Sequence, residues 1–354
     1  MEREQASTLR TIFSMPVIVA ALGYFVDIYD LVLFSIVRVP SLKSLGLSGQ
    51  ELIDYGVYLL NMQMIGMLLG GFLWGWLGDK KGRLKIMFAS ILMYSLANIA
   101  NGFVTTLPFI AGVGLAGELG AGITLVAEIL PTKIRGYGTM LVASIGVSGA
   151  ILANYVATTF EWHNAFFIGG ALGLLLLAAR FKVSESGMFQ AMADHRGTNR
   201  GNMAALFTDR SRFLRYLNSI MIGVPIWFVV GVLITFSPEF GEKLSISAPV
   251  SAGNAVMYWY LGLVFCYISS GLLSQLLKSR KKVVLLFMVL TVAGVALYFT
   301  QHGQTPQFFY MVCAFLGFAS GYWAIFVTVA AEQFGTNLRA TVATTVPNLV
   351  RGMV

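Results

Sequence analysis

The chain has 354 residues, of which 57% are hydrophobic and only 11% are charged, and its mean hydropathy is +0.75. A soluble globular domain has about 25% charged residues, because its surface faces water. These values exclude an ordinary soluble domain and predict a chain that crosses the bilayer with several helices of about 20 apolar residues. The net charge of +8 does not indicate a nucleic-acid partner, since the basic residues form short clusters between apolar runs.

Eleven apolar runs predict membrane-spanning helices. They cover residues 14–37, 53–78, 84–103, 107–130, 137–159, 163–181, 213–237, 250–277, 283–301, 306–332 and 338–354. We interpret the chain as an N-terminal six-helix bundle over 1–181, a cytoplasmic linker over 182–212, and a C-terminal bundle over 213–354. The second bundle has four complete helices and part of a fifth, so a twelve-helix plan is expected to be cut within helix 11.

The positions of lysine and arginine predict the orientation. With the N-terminus in the cytoplasm, 20 of the 24 basic residues fall in cytoplasmic segments, which is the side that membrane proteins favour for them. Arg38, Lys43 and Lys243 are then predicted to be external, and Arg351 lies within the last span. We therefore expect a multi-pass protein of the inner cell membrane with a cytoplasmic N-terminus.

An internal repeat supports the division into two halves. The segment 127–135, AEILPTKIR, recurs as AEQFGTNLR at 331–339, with alanine, glutamate, threonine and arginine in register. Both copies stand at the inner end of the fourth helix of their half. Two parallel repeats around a cavity at the middle of the membrane are one of the known transporter designs.

The most specific motif follows the second predicted helix, where residues 75–85 read GWLGDKKGRLK. Its glycines permit close helix approach and a tight reversal, and Asp79 can pair with Arg83 at the membrane edge. A basic loop without further function is the alternative interpretation. The segment resembles the G-x-L-(A/G)-D-(R/K)-x-G-R-(R/K) signature of the major facilitator superfamily. This resemblance implies an all-α membrane fold of two pseudo-symmetric helical bundles that alternately open a central cavity to each side.

Further motifs resemble particular branches of that superfamily. The end of the fourth helix, Glu128 to Gly136, is similar to the E-x-x-P-x-x-x-R-G pattern of sugar and metabolite symporters. Gly117-Glu118 stands at the spacing of the glycine–glutamate pair of metabolite:proton symporters. Met67-Leu68 replaces the Arg-Pro that those symporters usually have before the paired glycines of helix two. The fifth helix lacks the Gly-Pro of antiporters, which favours symport over drug efflux.

The first helix has two aspartates, in the sequence Asp27-Ile28-Tyr29-Asp30, which resembles the motif of aromatic-acid symporters. An ionisable group within the hydrocarbon region costs about 2.5–3.5 kcal/mol or more and normally faces a cavity or a partner. A spacing of three residues puts both carboxylates on neighbouring parts of one helical face. We predict that this pair takes part in proton coupling or substrate contact; structural pairing with a basic residue is the alternative.

Two other ionisable residues lie deep within predicted spans. Glu118, between Gly117 and Gly120 in helix four, is a second candidate for proton coupling, or a protonated residue packed between helices. Arg351, followed by Gly352, resembles the helix-eleven arginine–glycine of aromatic-acid and niacin-type carriers. Its guanidinium could hold a substrate carboxylate in a bidentate manner, or could balance Asp30 in the empty carrier.

A cluster of residues at the inner ends of the helices is predicted to form a cytoplasmic gate. Charged side chains that meet in only one conformation would hold the inward side closed, whereas solvated helix ends are the alternative interpretation. The residues of this cluster are Gly75, Asp79, Gly82, Arg83, Glu128, Arg135, Glu332 and Arg339.

We therefore predict a secondary active transporter, with proton-coupled symport of a small organic acid or zwitterion. A sugar symporter, an antiporter of the same fold, and a non-transporting sensor or fragment are the alternatives. No nucleophile–base arrangement, nucleotide loop or metal spacing appears in the sequence, so we expect no enzyme activity, cofactor or metal. The expected partners are a small-molecule substrate, protons and the lipid bilayer, with no nucleic acid, and the expected state is a monomer.

Overall fold

A computed structural model describes residues 15–81, 83–105, 142–183, 208–334 and 336–353. Helices connected by short turns make up these ranges, which include no strand. Only α-helices and closed barrels satisfy their backbone hydrogen bonds in lipid, and the arrangement follows the first of these two solutions. The predicted all-α fold class is confirmed. The predicted helix over 107–130 lies outside the described residues, and the domain boundaries stay a prediction.

The described helices of the first half are α1 to α5. Their bounds are α1 Met15–Ser44, α2 Gly49–Lys81, α3 Arg83–Gly102, α4 Gly149–Thr159 and α5 Trp162–Val183. Helix α1 packs against α4 and α5, and α3 packs against α5. The turn from α1 to α2 is made by Gly46 and Gly49, whose φ angles of +89° and +57° suit glycine.

The second half continues with α6 to α12. Their bounds are α6 Arg210–Trp227, α7 Ser237–Lys243, α8 Ala252–Leu276, α9 Arg280–Thr300, α10 Pro306–Ser320, α11 Trp323–Glu332 and α12 Thr336–Gly352. A π-helical segment, Phe228–Ile234, connects α6 to α7. The two halves meet where α2 packs along α12 and where α4 and α1 pack along α8.

Helix α1 ends at Ser44, seven residues beyond the predicted end at 37. Pro40, which normally interrupts a helix, lies within its last turns. Packing maintains the helix here, since Leu42 is buried in a small cluster with Leu52 and Leu59 of α2. Arg38, which the sequence places beyond the predicted end of the span, lies within the helix and is fully buried; its position on the external side stays a prediction.

Two predicted helices are interrupted in the structure. The predicted helix 213–237 becomes α6, the π-helical segment and α7, and Pro225 stands just before the change. Within it, the Thr235 N–H donates to the Val230 carbonyl at 3.2 Å, five residues back, instead of four. The predicted helix 306–332 is interrupted at residues 321–322, between α10 and α11. Such irregular backbone at membrane depth is tolerated where it is enclosed by protein or lines a cavity.

The outer surface of the helices suits lipid. Six helical segments of the described part are long and apolar enough to cross a membrane, when Val142–Thr159 and Arg210–Ile234 are each counted as one segment. Large apolar side chains face outward, among them Leu175 at 67% exposure, Phe265 at 66% and Val292 at 71%. A water-soluble monomer rarely exposes such contiguous apolar area. The protein is a multi-pass membrane protein.

Close contact between α8 and α10 depends on two glycines. A Cβ added to Gly262 would overlap the Ala314 carbonyl, and one added to Gly317 would overlap the Trp259 carbonyl. Without a hydrophobic driving force between helices in lipid, small residues at the interface permit the van der Waals contact that holds them together. The backbones of these two helices therefore touch directly.

Replacing Gly317 with alanine should lower the stability of the protein by about 1–3 kcal/mol, the usual cost of overpacking. The added methyl group meets main-chain atoms of α8, which can move only with the helix. Gly294→Ala in α9 is the matched control, since its Cβ would meet side-chain atoms of Leu316 and Phe315, the nearest at 2.8 Å. Thermal unfolding in detergent should show a lower Tm for Gly317→Ala than for Gly294→Ala. Equal Tm values would contradict the close backbone packing.

Candidate functional site

A cavity of about 190 Å³ lies between the two halves of the molecule. It is bordered by α1, α2, α6, the π-helical segment, α8 and α12, so both halves contribute to it. Most of its lining is apolar, with a few polar groups, which is the composition typical of small-molecule sites. The lining residues are Leu31, Val32, Ser35, Val57, Leu60, Asn61, Met64, Trp227, Val230, Gly231, Val232, Thr235, Phe236, Val256, Tyr260 and Arg351.

Arg351 supplies the positive charge of this cavity. Its side chain is only 2% exposed, although it is a full cation at any physiological pH. Among the described residues, no group accepts a hydrogen bond from its Nε or Nη1 atoms. Burial of such a charge without hydrogen-bond acceptors is costly, so an acceptor within the cavity would stabilise it.

Two tryptophans flank the guanidinium. The Arg351 Cζ lies 5.2 Å from the centroid of the Trp227 ring and 5.7 Å from that of Trp323. The two indoles are themselves 6.3 Å apart and meet edge to face. Cation–π attraction favours the charge in this position, and the rings limit the directions from which an anion can approach. A flat molecule with one carboxylate has the shape and charge to suit this arrangement.

Asp27 belongs to the same electrostatic neighbourhood. It is 1% exposed, and both it and Arg351 lie close enough to the Tyr24 and Tyr260 hydroxyls to influence them electrostatically. Tyr260 also lines the cavity. The structure thus brings a buried carboxylate and a buried guanidinium to one tyrosine-lined region, where a change of charge on the carboxylate affects the guanidinium.

Asp30 points into the first half. Its side chain is 4% exposed and faces Asn98 of α3 and Gly169 of α5. The absence of a side chain at Gly169 makes room for it, since a Cβ there would lie 2.5 Å from the Asp30 Oδ1 atom. Among the described residues, no basic side chain lies within ion-pair distance of Asp30. Asp27 and Asp30 still interact through space, but they face different surroundings.

The predicted cytoplasmic gate lies largely outside what the structure describes. Of the gate residues, Gly82, Glu128 and Arg135 are outside the described residues, and so is Glu118, the second candidate for proton coupling. The helix positions of the others are described but their side-chain contacts are not; these are Gly75 and Asp79 in α2, Arg83 in α3, Glu332 in α11 and Arg339 in α12.

Sequence reasoning missed several residues of the cavity. Trp227 and Trp323 carry nothing in the sequence that marks them as site residues, yet they lie against Arg351. Gly231 and Thr235 reach the cavity because of the π-helical segment. Pro225 followed by Gly231 was the available signal, as π-helical turns occur often at functional sites.

Comparison with known proteins identifies the class of protein that this fold and site define. A family model described as Major Facilitator Superfamily matches residues 20–348. The chain belongs to this superfamily of membrane transporters, as its sequence motifs predicted. It is accordingly a transporter of small metabolites and not a member of an enzyme family.

Three individual transporters match the chain at sequence identities of 24–27%. The chain is 27% identical to the niacin transporter NiaP of Acinetobacter baylyi, over 91% of this chain and 80% of that protein. It is 24% identical to the putative niacin/nicotinamide transporter NiaP of Bacillus subtilis, over 91% and 81%. A shorter similarity, 24% over 62% of this chain and 50% of the relative, is to the 4-hydroxybenzoate transporter PcaK of Pseudomonas aeruginosa.

Solved structures show the same fold. The proton:xylose symporter XylE, bound to 6-bromo-6-deoxy-D-glucose, superposes with a TM-score of 0.69, and the match covers 97% of this chain and 87% of that one. Its sequence identity is 17%, so this likeness concerns the fold alone. The helices α1–α12 therefore follow the major facilitator arrangement.

Proposed function

We propose that the protein is a symporter that imports a small aromatic or heteroaromatic monocarboxylate together with a proton. The observation that carries this proposal is the buried Arg351 guanidinium between Trp227 and Trp323, with its Nε and Nη1 atoms without an acceptor among the described residues. A guanidinium binds a carboxylate through two parallel hydrogen bonds, and indole rings favour a flat partner. The names of the niacin and 4-hydroxybenzoate relatives support the same substrate class.

The position of Asp27 supplies a way to couple the proton to the substrate. An ionised Asp27 near Arg351 would compete electrostatically with a substrate carboxylate for the same positive charge. Protonation of Asp27 removes this competition, so proton and substrate each strengthen the binding of the other. Asp30 lies near enough to sense the charge on Asp27 and could share the proton. Glu118 remains a further candidate for the proton site.

A sugar is the second substrate class raised by the sequence, and the cavity favours it less. A sugar carries several hydroxyl groups, each of which needs a partner when it leaves water. Among the described lining residues, the polar side chains are Ser35, Asn61, Thr235, Tyr260 and Arg351, with the indole N–H of Trp227. A single cation among mainly apolar groups suits one carboxylate on an apolar ring better.

The orientation and the cytoplasmic gate complete the proposal. The N-terminus faces the cytoplasm of a cell whose inner membrane holds the protein, and the protein works as a monomer. For the gate, we propose that the charges of Asp79, Arg83, Glu128 and Arg135 together stabilise the state in which the inner end is closed. The internal repeat supports an equivalent role for Glu332 and Arg339 in the second half.

Uptake by purified protein in vesicles tests the proposal. Labelled nicotinate, benzoate and 4-hydroxybenzoate are offered with an acidic outside, beside nicotinamide and xylose as neutral comparisons. At least one carboxylate should accumulate in protein-containing vesicles beyond protein-free vesicles, and an ionophore that abolishes the proton gradient should stop it. Accumulation of xylose alone would assign the protein to the sugar class.

A further inference from the structure

A buried ion pair connects the two halves of the molecule away from the cavity. The Nη2 atom of Arg38 in α1 donates to the Oε1 atom of Glu239 in α7 at 2.6 Å. The Arg38 side chain is completely buried, whereas Glu239 is 23% exposed. The pair lies at the end of the molecule where α1 ends and α2 begins, which is called the outer end here because the basic residues predict that it faces outside.

Arg38 is fitted closely into this position. Its Cζ lies 4.5 Å from the centroid of the Phe236 ring, so one face of the guanidinium rests on the second half. On its other side lies α2, where a Cβ at Gly56 would come within 2.8 Å of the Arg38 Nη1 atom. Glycine at position 56 therefore makes room for the cation. Because the Arg38 side chain is packed against both Phe236 and Gly56, its ion pair with Glu239 is a specific contact and not one between two exposed side chains.

The pair lies outside the cavity but about one helical turn from its lining. Phe236 and Thr235, three and four residues before Glu239, line the cavity, and so does Ser35, three residues before Arg38. The Thr235 hydroxyl lies 3.4 Å from that of Ser35, which makes a second contact between the halves at this level. These contacts join α1 to the second half between the cavity and the outer end.

In the part of the chain that the structure describes, the other hydrogen-bonded contacts between the halves at the outer end are neutral. The Asn154 amide of α4 donates to the Asn254 oxygen of α8 at 3.4 Å, and Gly253 packs against Asn154 and Ile36. Neutral and long contacts of this kind separate at little cost. The Arg38–Glu239 pair differs, since both members are charged and the cation has no exposed surface. Its separation is compensated only if water reaches both groups.

We propose that Arg38 and Glu239 form the outer latch of the transport cycle. The pair holds the outer end closed while the cavity is occluded or open to the inside, and it breaks, with hydration of both groups, each time the cavity opens outward. A charged contact that exists in only one of two states shifts the balance between them by its own free energy. Removing the latch should therefore populate the outward-open state.

Access of a membrane-impermeant thiol reagent to the cavity tests the latch. Leu60→Cys provides the reporter, because Leu60 lines the cavity and is nearly buried. The native Cys266 and Cys313 are fully buried. With the reagent outside intact cells, Glu239→Gln should raise the labelling rate of the reporter on the order of tenfold, the size of a typical coupling between states. Arg38→Gln should act in the same direction, and the exchanged pair Arg38→Glu with Glu239→Arg should reverse part of the effect.

Glu242→Gln is the matched control, since Glu242 lies on the same short helix and is exposed. It should leave the labelling rate unchanged. If Arg38→Gln does not fold, the partly exposed Glu239 makes Glu239→Gln the deciding variant, with size-exclusion chromatography to show that it is folded. An unchanged rate in folded Glu239→Gln, or an equal rise in Glu242→Gln, overturns the latch.

The side of the membrane needs its own control. Lys43→Cys, close to the end of α1, should react with the reagent from outside; reaction only after the cells are made permeable places the pair at the inner end and overturns its assignment. The readout requires no substrate. The labelling experiment therefore tests the latch independently of the proposed symport of a carboxylate and a proton.

Discussion

Replacing Arg351 with glutamine is expected to weaken binding of the carboxylate substrate by about 30-fold or more. Truncation of one member of a buried, hydrogen-bonded charge pair costs about 2–5 kcal/mol, and 2 kcal/mol corresponds to roughly 30-fold in Kd. Arg351→Lys should recover part of the affinity, because lysine keeps the charge but cannot make two parallel hydrogen bonds. Equilibrium binding of the substrate identified by uptake provides the measurement.

Two controls separate a role in binding from general damage. Arg212→Gln removes an arginine that is half exposed and pairs only with the nearby Asp209 at 3.4 Å among the described residues, so binding should be unchanged. A neutral amide analogue of the substrate should lose much less affinity in Arg351→Gln than the carboxylate does. Equal loss for both ligands would show that Arg351 maintains the shape of the cavity and does not bind the carboxylate.

Asp27→Asn is expected to abolish accumulation driven by a pH gradient while downhill exchange continues. Asparagine keeps the shape of the side chain but cannot ionise, so the competition with the substrate for Arg351 no longer depends on pH. The affinity for the carboxylate should then vary little between pH 6 and pH 8, whereas in the unaltered protein it should be higher at the lower pH. Uptake into vesicles and binding at several pH values measure both effects.

Asp30→Asn should give a similar loss of accumulation if the two carboxylates share the proton, because coupled groups titrate as a pair. The double variant should then be little worse than either single one. Asp54→Asn is the matched control, since Asp54 is exposed and bonded to Gln50 at 2.9 Å. Normal accumulation in both Asp27→Asn and Asp30→Asn would move the proton site to Glu118 or another group.

The fold could be predicted from the sequence because the bilayer imposes strict rules on composition. Apolar runs predicted an all-α membrane fold, and the motif at 75–85 indicated the superfamily. The limits of α1 could not be predicted, since Pro40 and Arg38 both normally mark the end of a membrane helix. Only the three-dimensional packing shows that Leu42 is buried against α2 and that Glu239 neutralises Arg38.

The candidate site was accessible to sequence reasoning only where a residue is unusual by itself. Asp27, Asp30 and Arg351 attract attention because an ionisable group in an apolar run needs a reason. Trp227 and Trp323 do not, since aromatic residues are common in membrane helices and their role depends on what they touch. The partner of Arg38 lies 201 residues away, and nothing in the local sequence of either residue indicates the other.

Proton-driven uptake of a carboxylate by the purified protein tests the central claim most directly. A gradient of one pH unit supplies about 1.4 kcal/mol per proton, enough for roughly tenfold accumulation of an anion that enters with one proton. Vesicles with the protein should approach this ratio for at least one aromatic carboxylate much faster than protein-free vesicles, which take up only the neutral acid that crosses the lipid. Vesicles with Arg351→Gln should be no faster than protein-free ones. An initial uptake rate equal to that of protein-free vesicles for every carboxylate tested, with the gradient intact, would contradict the claim.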